Sequence, residues 1–377
     1  MRSHPQNTQP FLILRLFISI SLILALHSPT QAYPQDSSNE LKTDDLKLHW
    51  GGFIDTFYTY DLNHLKTSNR NPSGYTFTSQ AARHNEFNLN LGYLEVTAQT
   101  SRTRGRFALQ SGTSVPIGYS SLKGRESTAL NSIQEAFVGY QLSPQIWVDA
   151  GIFFSHIGFE SWISKNNWTY TRSIVSDQVP YFQTGIKLSY DTQSSWAFQF
   201  MLLNGWSNVL NYNQNKAIGM HIDYRLSPQV TLTYNNFYGL VLHQKPRLYQ
   251  EAYATLQITD EWSMIVSAEL GLQKTSDTHW AKWGSLELIT QYQLTPHFAL
   301  AYRLETFRDR GQITETTQTR NGYTLSSSSI GFNSQLTPQL LWRAELRGYL
   351  AADPLFRGRN EASNRDAAMT TSLSLSI

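Results

Sequence analysis

The side chains best placed to do chemistry lie between residues 155 and 180, where His156, Glu160, Lys165, Arg172 and Asp177 stand among Trp162, Trp168 and Tyr170. An imidazole, carboxylates and cations set among aromatics can bind a solute, narrow a passage or hold a loop together. A connection this long without a strand pattern usually has a task, and we expect it to fold into a lumen and form the constriction of a pore. Ser155 and His156 are the one adjacent pair that suggests nucleophilic catalysis. Neighbours along a strand point to opposite faces, so the two cannot pair directly if the strand continues. His156 then reads as a polar loop residue that positions its neighbours. No phosphate-cradling loop, nucleophile elbow or HExxH motif occurs, and the chain has no cysteine, which excludes disulfides, thiol catalysis and Cys-ligated metal. We expect no enzyme, no cofactor and no metal site.

What holds such a loop follows from composition. The 377 residues are 40% hydrophobic, 15% charged and 13% aromatic, with 30 Lys+Arg against 28 Asp+Glu. The surplus of two cations is Arg2 and Arg15, in a first stretch without Asp or Glu, so the remainder is neutral. A nucleic-acid partner recognised through bulk charge is therefore excluded. Many aromatics with a polar average is the composition of a transmembrane β-barrel, because only every second strand residue meets lipid. A large soluble β-sandwich has the same composition, so pattern must decide.

Arg2, the apolar run Leu16–Leu26 and the small residues around Thr30-Gln31-Ala32 follow the order of a secretory signal, and the run is too short to span a bilayer. We expect residues 1–32 to be that signal, 33–47 a short periplasmic N-terminal segment and 48–377 the folded domain.

Four segments repeat one turn: Gly139-Tyr-Gln-Leu-Ser-Pro-Gln145, Asp223-Tyr-Arg-Leu-Ser-Pro-Gln229, Gln291-Tyr-Gln-Leu-Thr-Pro-His297 and Asn333-Ser-Gln-Leu-Thr-Pro-Gln339. Proline presets φ for a tight turn and cannot donate to a ladder, so it belongs between strands. Polar breaks at 101–105, 191–195 and 259–261 act likewise. The runs between them alternate with period two: Trp262, Met264, Val266, Ala268, Leu270 and Leu272 share one face, Ser263, Ser267, Glu269 and Gln273 the other. Tyr140, Tyr190, Tyr224 and Tyr292 precede turns and Trp196, Trp262 and Trp342 follow them, all on the apolar face, as an interfacial girdle would. The connections at the other end are long. These features favour a membrane barrel over a sandwich, and the runs predict an all-β, transmembrane, antiparallel up-and-down β-barrel of about sixteen strands, with fourteen as the alternative. Short turns face the periplasm and long loops the outside, with tips near residues 70, 165 and 315. The last strand must pair with the first, since an unpaired backbone group in hydrocarbon costs several kcal/mol. In the second strand Phe87, Leu89, Leu91 and Tyr93 share parity with Glu95, which predicts a bulge near Gly92 that exchanges the two faces.

Five stretches, Gly51-Gly-Phe-Ile-Asp-Thr-Phe-Tyr-Thr-Tyr60, Asn85-Glu-Phe-Asn-Leu-Asn-Leu-Gly92, Gly151-Ile-Phe-Phe-Ser-His-Ile-Gly-Phe-Glu160, Asn167-Trp-Thr-Tyr-Thr-Arg-Ser173 and Asn204-Gly-Trp206, occur in order across residues 48–206. In them the chain resembles the OmpL-like family of outer-membrane β-barrel porins. The resemblance implies a Gram-negative outer-membrane location and a passive channel. Leu373, Leu375 and Ile377 keep the alternation but end in Ile, where such barrels usually carry an aromatic that the barrel-assembly machinery reads.

Parity places Asp55, Glu135, Asp149, Asp223, Glu251, Glu269, Glu287, Glu305 and Glu345 toward a lumen, with Arg106, Lys187, Arg225, Arg303, Arg343 and Arg347. On the lipid face each cation would cost roughly 2–4 kcal/mol at mid-bilayer and each carboxylate less, so a wet interior is the tolerable place for them. Most should form cross-strand ion pairs. Nine acids against six bases predict a weak cation preference, and Arg303, Arg343 and Arg347 against Glu251, Glu269 and Glu287 suggest opposite walls of opposite sign. The expected function is an outer-membrane porin passing small hydrophilic solutes, in contact with outer-membrane lipids. The rival is a surface receptor or adhesin that binds through its long loops.

Overall fold

The alternation of the sequence becomes a wall whose apolar residues face out and whose charges face in. The computed structural model describes residues 45–72, 74–119, 130–210, 214–241 and 244–377. The expected signal at 1–32 and most of the segment 33–47 lie outside the described residues.

The first eight strands are β1 (Lys47–Asp61), β2 (Phe87–Gln99), β3 (Thr103–Ser111), β4 (Ile133–Ser143), β5 (Ile146–Phe154), β6 (Phe182–Asp191), β7 (Trp196–Leu203) and β8 (Ala217–Ser227). The next seven are β9 (Val230–Val241), β10 (Lys245–Gln257), β11 (Trp262–Lys274), β12 (Trp280–Thr295), β13 (Phe298–Asp309), β14 (Tyr323–Gln335) and β15 (Leu340–Ala351). A small hairpin, β16 (Phe356–Arg357) and β17 (Ala362–Ser363), precedes β18 (Arg365–Ser376). Apart from that hairpin, each strand pairs antiparallel with its chain neighbours, and β18 returns to β1, giving a closed barrel of 16 strands. The fourteen-strand alternative is thereby excluded.

Closure leaves no edge: Ile54 pairs with Leu375 and Phe53 with Ser376, so the wall satisfies its own backbone groups. Strand β13 shows the inversion relative to a soluble protein. Arg303 and Glu305 are buried while Tyr302 and Leu304 are 41% and 52% exposed. The girdle forms near the short turns, where Trp196 stacks on Tyr224 at 4.2 Å and Trp262 pairs across strands with Tyr292.

The bulge in β2 falls two residues before Gly92. Asp55 pairs with Leu91 and Thr56 with Leu89, leaving Asn90 as the extra residue. Phe87 therefore points out, 87% exposed, while Leu91 and Tyr93 are buried inside and Glu95 reaches Arg106 at 2.5 Å. Asn90 Nδ2 donates to Asp55 Oδ2 at 2.8 Å, which ties the bulge to the lumen. Deleting Asn90 should force either Phe87 and Leu89 inward or Glu95 onto lipid. The expected outcome is a large loss of the folded, heat-modifiable band on electrophoresis, since a lipid-facing carboxylate or an inward-turned Phe87 and Leu89 each works against insertion; unchanged folding yield would refute this account of the bulge.

Candidate functional site

A loop that enters a barrel brings backbone groups that must find partners. Residues 155–181, between β5 and β6, lie inside the wall, and the wall's charges meet their main chain. Arg343 donates through Nη1 to Ser164 O at 2.6 Å and through Nη2 to Asn167 O at 2.5 Å. Arg303 Nη1 donates to Thr171 O and Arg347 Nη1 to Arg172 O, each at 2.6 Å. The carboxylates take the complementary N–H groups. Glu345 accepts from Thr171 N at 2.7 Å, Glu305 from Ile174 N at 2.7 Å and Glu251 from Gly158 N at 2.9 Å. Asp55 accepts the Ser164 hydroxyl at 2.8 Å.

Two of the three arginines are also paired in charge. Arg303 lies 3.0 Å from Glu345, 3.3 Å from Glu305 and 3.6 Å from Glu160, and Arg347 lies 2.6 Å from Glu305. These are charge-assisted, forked contacts of the kind that arginine geometry suits.

All five residues singled out in the loop are anchored. His156 Nε2 meets Asn236 O at 2.8 Å, and Glu160 accepts from Ser173 N at 2.6 Å. Lys165 donates to Ser376 Oγ at 2.8 Å and sits over the Phe53 ring. Arg172 stacks on Tyr181 with its guanidinium carbon 4.3 Å from the ring centroid. Asp177 accepts from Ser79 N at 3.0 Å and from Tyr181 OH at 3.1 Å. The tip expected outside near residue 165 is corrected: Lys165 is bound deep in the barrel beside the end of β18, because Arg343 and Asp55 draw the segment inward.

A second loop, 62–86, joins the first. Arg70 bridges Asp61 at 2.9 Å and Asp366 at 2.7 Å, all buried, and Gln80 Nε2 donates to Trp162 O at 3.2 Å. Phe77 packs edge-on against Tyr349 and Phe356. The long-loop half of the barrel is thus filled by packed side chains.

The short-turn half along β2 to β8 is wetter. Arg104 pairs with Asp149 at 2.6 Å, Lys187 with the same carboxylate at 3.6 Å, and Arg106 with Glu95 and Glu135. His221 meets Asp223 at 3.0 Å. Side-chain exposure is 34% for Arg104 and 33% for Asp223, against 0% for Arg303, and Arg225 is exposed. Parity could have found Arg104 and His221, which share faces with Arg106 and Asp223. Arg70 could not be found that way, since a loop residue has no parity.

Glu251, Glu269 and Glu287 stand on β10, β11 and β12, with Glu251 paired directly across from Glu269 and Glu287 across from Glu305. The expected opposition of walls is corrected. β10 to β12 adjoin β13 and are not across the lumen from it, so acidic and basic groups are neighbours in one wall.

The family model described as "Putative beta-barrel porin-2, OmpL-like" matches residues 47–377. Among curated protein sequences none matches this chain. Solved structures share the fold. The outer-membrane channel DcaP of Acinetobacter baumannii is 10% identical with a TM-score of 0.57, over 88% of this chain and 97% of that one. A loop L8 deletion mutant of the Vibrio cholerae outer-membrane protein OmpT is 7% identical with a TM-score of 0.58, over 89% and 100%. Salmonella typhi OmpF, solved with daunomycin, is 12% identical with a TM-score of 0.55, over 89% and 98%.

The junction of the loops contains a titratable contact. Thr76 N donates to Glu315 Oε1 at 3.1 Å, and burial pushes the Glu315 carboxyl up from 4.5 to about 7. Between those values the folded carboxyl keeps a proton that the unfolded one has lost, so the folded junction loses stability as pH rises through 4.5 to about 7, because ionisation then places a charge in a buried site that the Thr76 N–H only partly offsets. Hydrogen exchange at the Thr76 amide, corrected for intrinsic rate, should lose protection from pH 5 to 8; Glu315→Gln should flatten the dependence, and an equal slope in both would refute the assignment.

Proposed function

Because this chain belongs to the OmpL-like family of outer-membrane β-barrel porins, we propose that it passes small hydrophilic solutes by passive diffusion through a lumen constricted by the loop 155–181. The observation that carries the reading is the anchoring of that loop by Arg303, Arg343 and Arg347 inside a closed barrel of 16 strands. A barrel of this strand number is wide enough for an aqueous channel, so the loop sets the bore. The long loops face the cell exterior and the short turns the periplasm, which is the usual asymmetry of such barrels. The mature chain reaches the membrane through its signal segment and the barrel-assembly machinery.

His156, Glu160, Lys165, Arg172 and Asp177 act in this reading by fixing the shape of the constriction. The lumen charges act in two groups. Asp55, Arg303, Glu305, Arg343, Glu345 and Arg347 hold the loop, while Glu135, Asp149, Lys187, Asp223 and Arg225, with Glu95, Arg104 and Arg106, line a vestibule. A weak cation preference rests on Glu251, Glu269 and Glu287, which form no ion pair among the described residues. Screening over about 10 Å at 0.1 M salt keeps it weak.

The chemistry is transport and not catalysis. Ser155 Oγ accepts from Ile157 N while His156 bonds a main-chain oxygen, so the adjacent pair is not a catalytic dyad. The receptor reading gains one observation, the packing that fills the long-loop half.

Conductance in a planar bilayer separates the two. The parent should give discrete steps, and Arg343→Ala with Arg347→Ala should enlarge them or make them noisier, since Arg343 holds two loop carbonyls and removing Arg347 from its buried pair with Glu305 costs about 3–5 kcal/mol. No steps from either protein would favour the receptor. In a salt gradient at low ionic strength, Glu269→Gln with Glu287→Gln should move the reversal potential toward anions; no movement would remove the selectivity claim.

A further inference from the structure

The outer face of the strands carries charge of one sign only. Reading outward parity along the described strands, the charged residues are Lys274, Lys282, Arg308 and Arg365, with Arg310 just past the end of β13, and every one lies at the long-loop end. Three of them gather at one place. Lys282, Arg308 and Arg310 are exposed and line a single groove of about 860 Å³ that runs from Tyr234 on β9 across β10 to β13, where the only acidic lining residues, Glu251 and Glu269, are buried on the lumen side. Gly284 pairs with Leu270 on one side and Arg308 on the other, and continuing that register sets Lys282 opposite Arg310. None of the three forms an ion pair among the described residues, and the nearby Asp277 is taken by Lys245 at 3.1 Å.

Three cations side by side repel one another and gain from a multivalent anion. Below them the groove is apolar: Leu270 and Leu286 are exposed on either side of Gly284, whose missing side chain leaves a trough along the wall. We propose that this groove binds a phosphate-bearing, acylated glycolipid of the outer leaflet, its phosphates on Lys282, Arg308 and Arg310 and an acyl chain along Leu270, Gly284 and Leu286. Cations at the membrane surface and an apolar face below them are what an anionic lipid requires. The charge complementarity selects this occupant over a second copy of the chain, which would bring its own cations to the same face. The proposal rests on the orientation given above, with long loops outside.

The full chain, purified in non-ionic detergent, is titrated with fluorescent deep-rough lipopolysaccharide that keeps both phosphates. The parent should bind saturably, and Lys282→Gln, Arg308→Gln and Arg310→Gln combined should weaken binding by about fivefold for each cation removed. Heat-modifiable migration checks that the variant folds. Arg365→Gln, on β18, should leave affinity unchanged, and dephosphorylated lipopolysaccharide should bind parent and triple variant alike. Equal affinity of parent and triple variant, an equal loss with Arg365→Gln, or displacement by millimolar inorganic phosphate would each overturn the proposal. Unchanged conductance of the triple variant in the planar bilayer keeps a failure here distinct from a failure of the channel reading.

Discussion

Three buried guanidinium groups gripping main-chain oxygens of an inserted loop are the constraint on which the lumen depends. Arg303, Arg343 and Arg347 lie on β13 and β15, and their targets run from Ser164 to Arg172. A guanidinium offers five donors in a fixed fork and no acceptor, so it suits carbonyls of an irregular loop. The N–H groups of that loop need acceptors, and Glu305 and Glu345 on the same strands supply them. Charge balance within the wall makes the burial tolerable, and the bonds to the loop give it direction. An arginine replaced by an apolar residue would leave both a bare carbonyl and an unbalanced carboxylate.

This division explains why a count of lumen charges is a poor guide to selectivity. The same residue types serve two ends, distinguished by exposure. At β13 and β15 they are sealed against the loop; at β3, β6 and β8 Arg104, Lys187 and Asp223 stay partly wet, the first two sharing the buried Asp149 of β5. A passing ion meets the field of the second set directly and that of the first set only through its imbalance. Glu269 and Glu287 are of interest because they are buried in the wall and form no ion pair among the described residues.

How much was legible in the sequence follows from the range of each interaction. Period two is local, so Trp262 to Lys274 or Phe298 to Asp309 announce their faces without help, and the Ser/Thr-Pro turns announce their ends. The conflict of Glu95 with the apolar Phe87, Leu89, Leu91 and Tyr93 on one parity announced a bulge, but its place was fixed by Asn90 reaching Asp55, a contact across strands. The path of the loop was beyond reach for the same reason. Arg303 and Thr171 are 132 residues apart, and nothing near either one in sequence specifies the other. The neighbourhood of acidic and basic walls also needed strand order, because residues spaced along the chain say nothing of the angle they subtend around a closed sheet.

The wall and the loops are therefore held by different physics, and this bears on how a filled barrel can conduct. Each wall strand is bonded on both sides along its length, and opening one would expose a whole ladder to hydrocarbon. The inserted loop hangs on a small number of discrete side-chain bonds, several of them shared: Thr171 alone contacts Arg303, Arg347 and Glu345. Loss of a shared node releases several partners together, so the loop has a cooperative unit that the wall does not share. Widening of the lumen can then proceed while the barrel stays intact, with Arg70, Asp61 and Asp366 at the long-loop end and Asp55 with Ser164 deeper in as separate fastenings. On the channel reading proposed above, the bore is a property of these fastenings, and strand number sets only its upper limit.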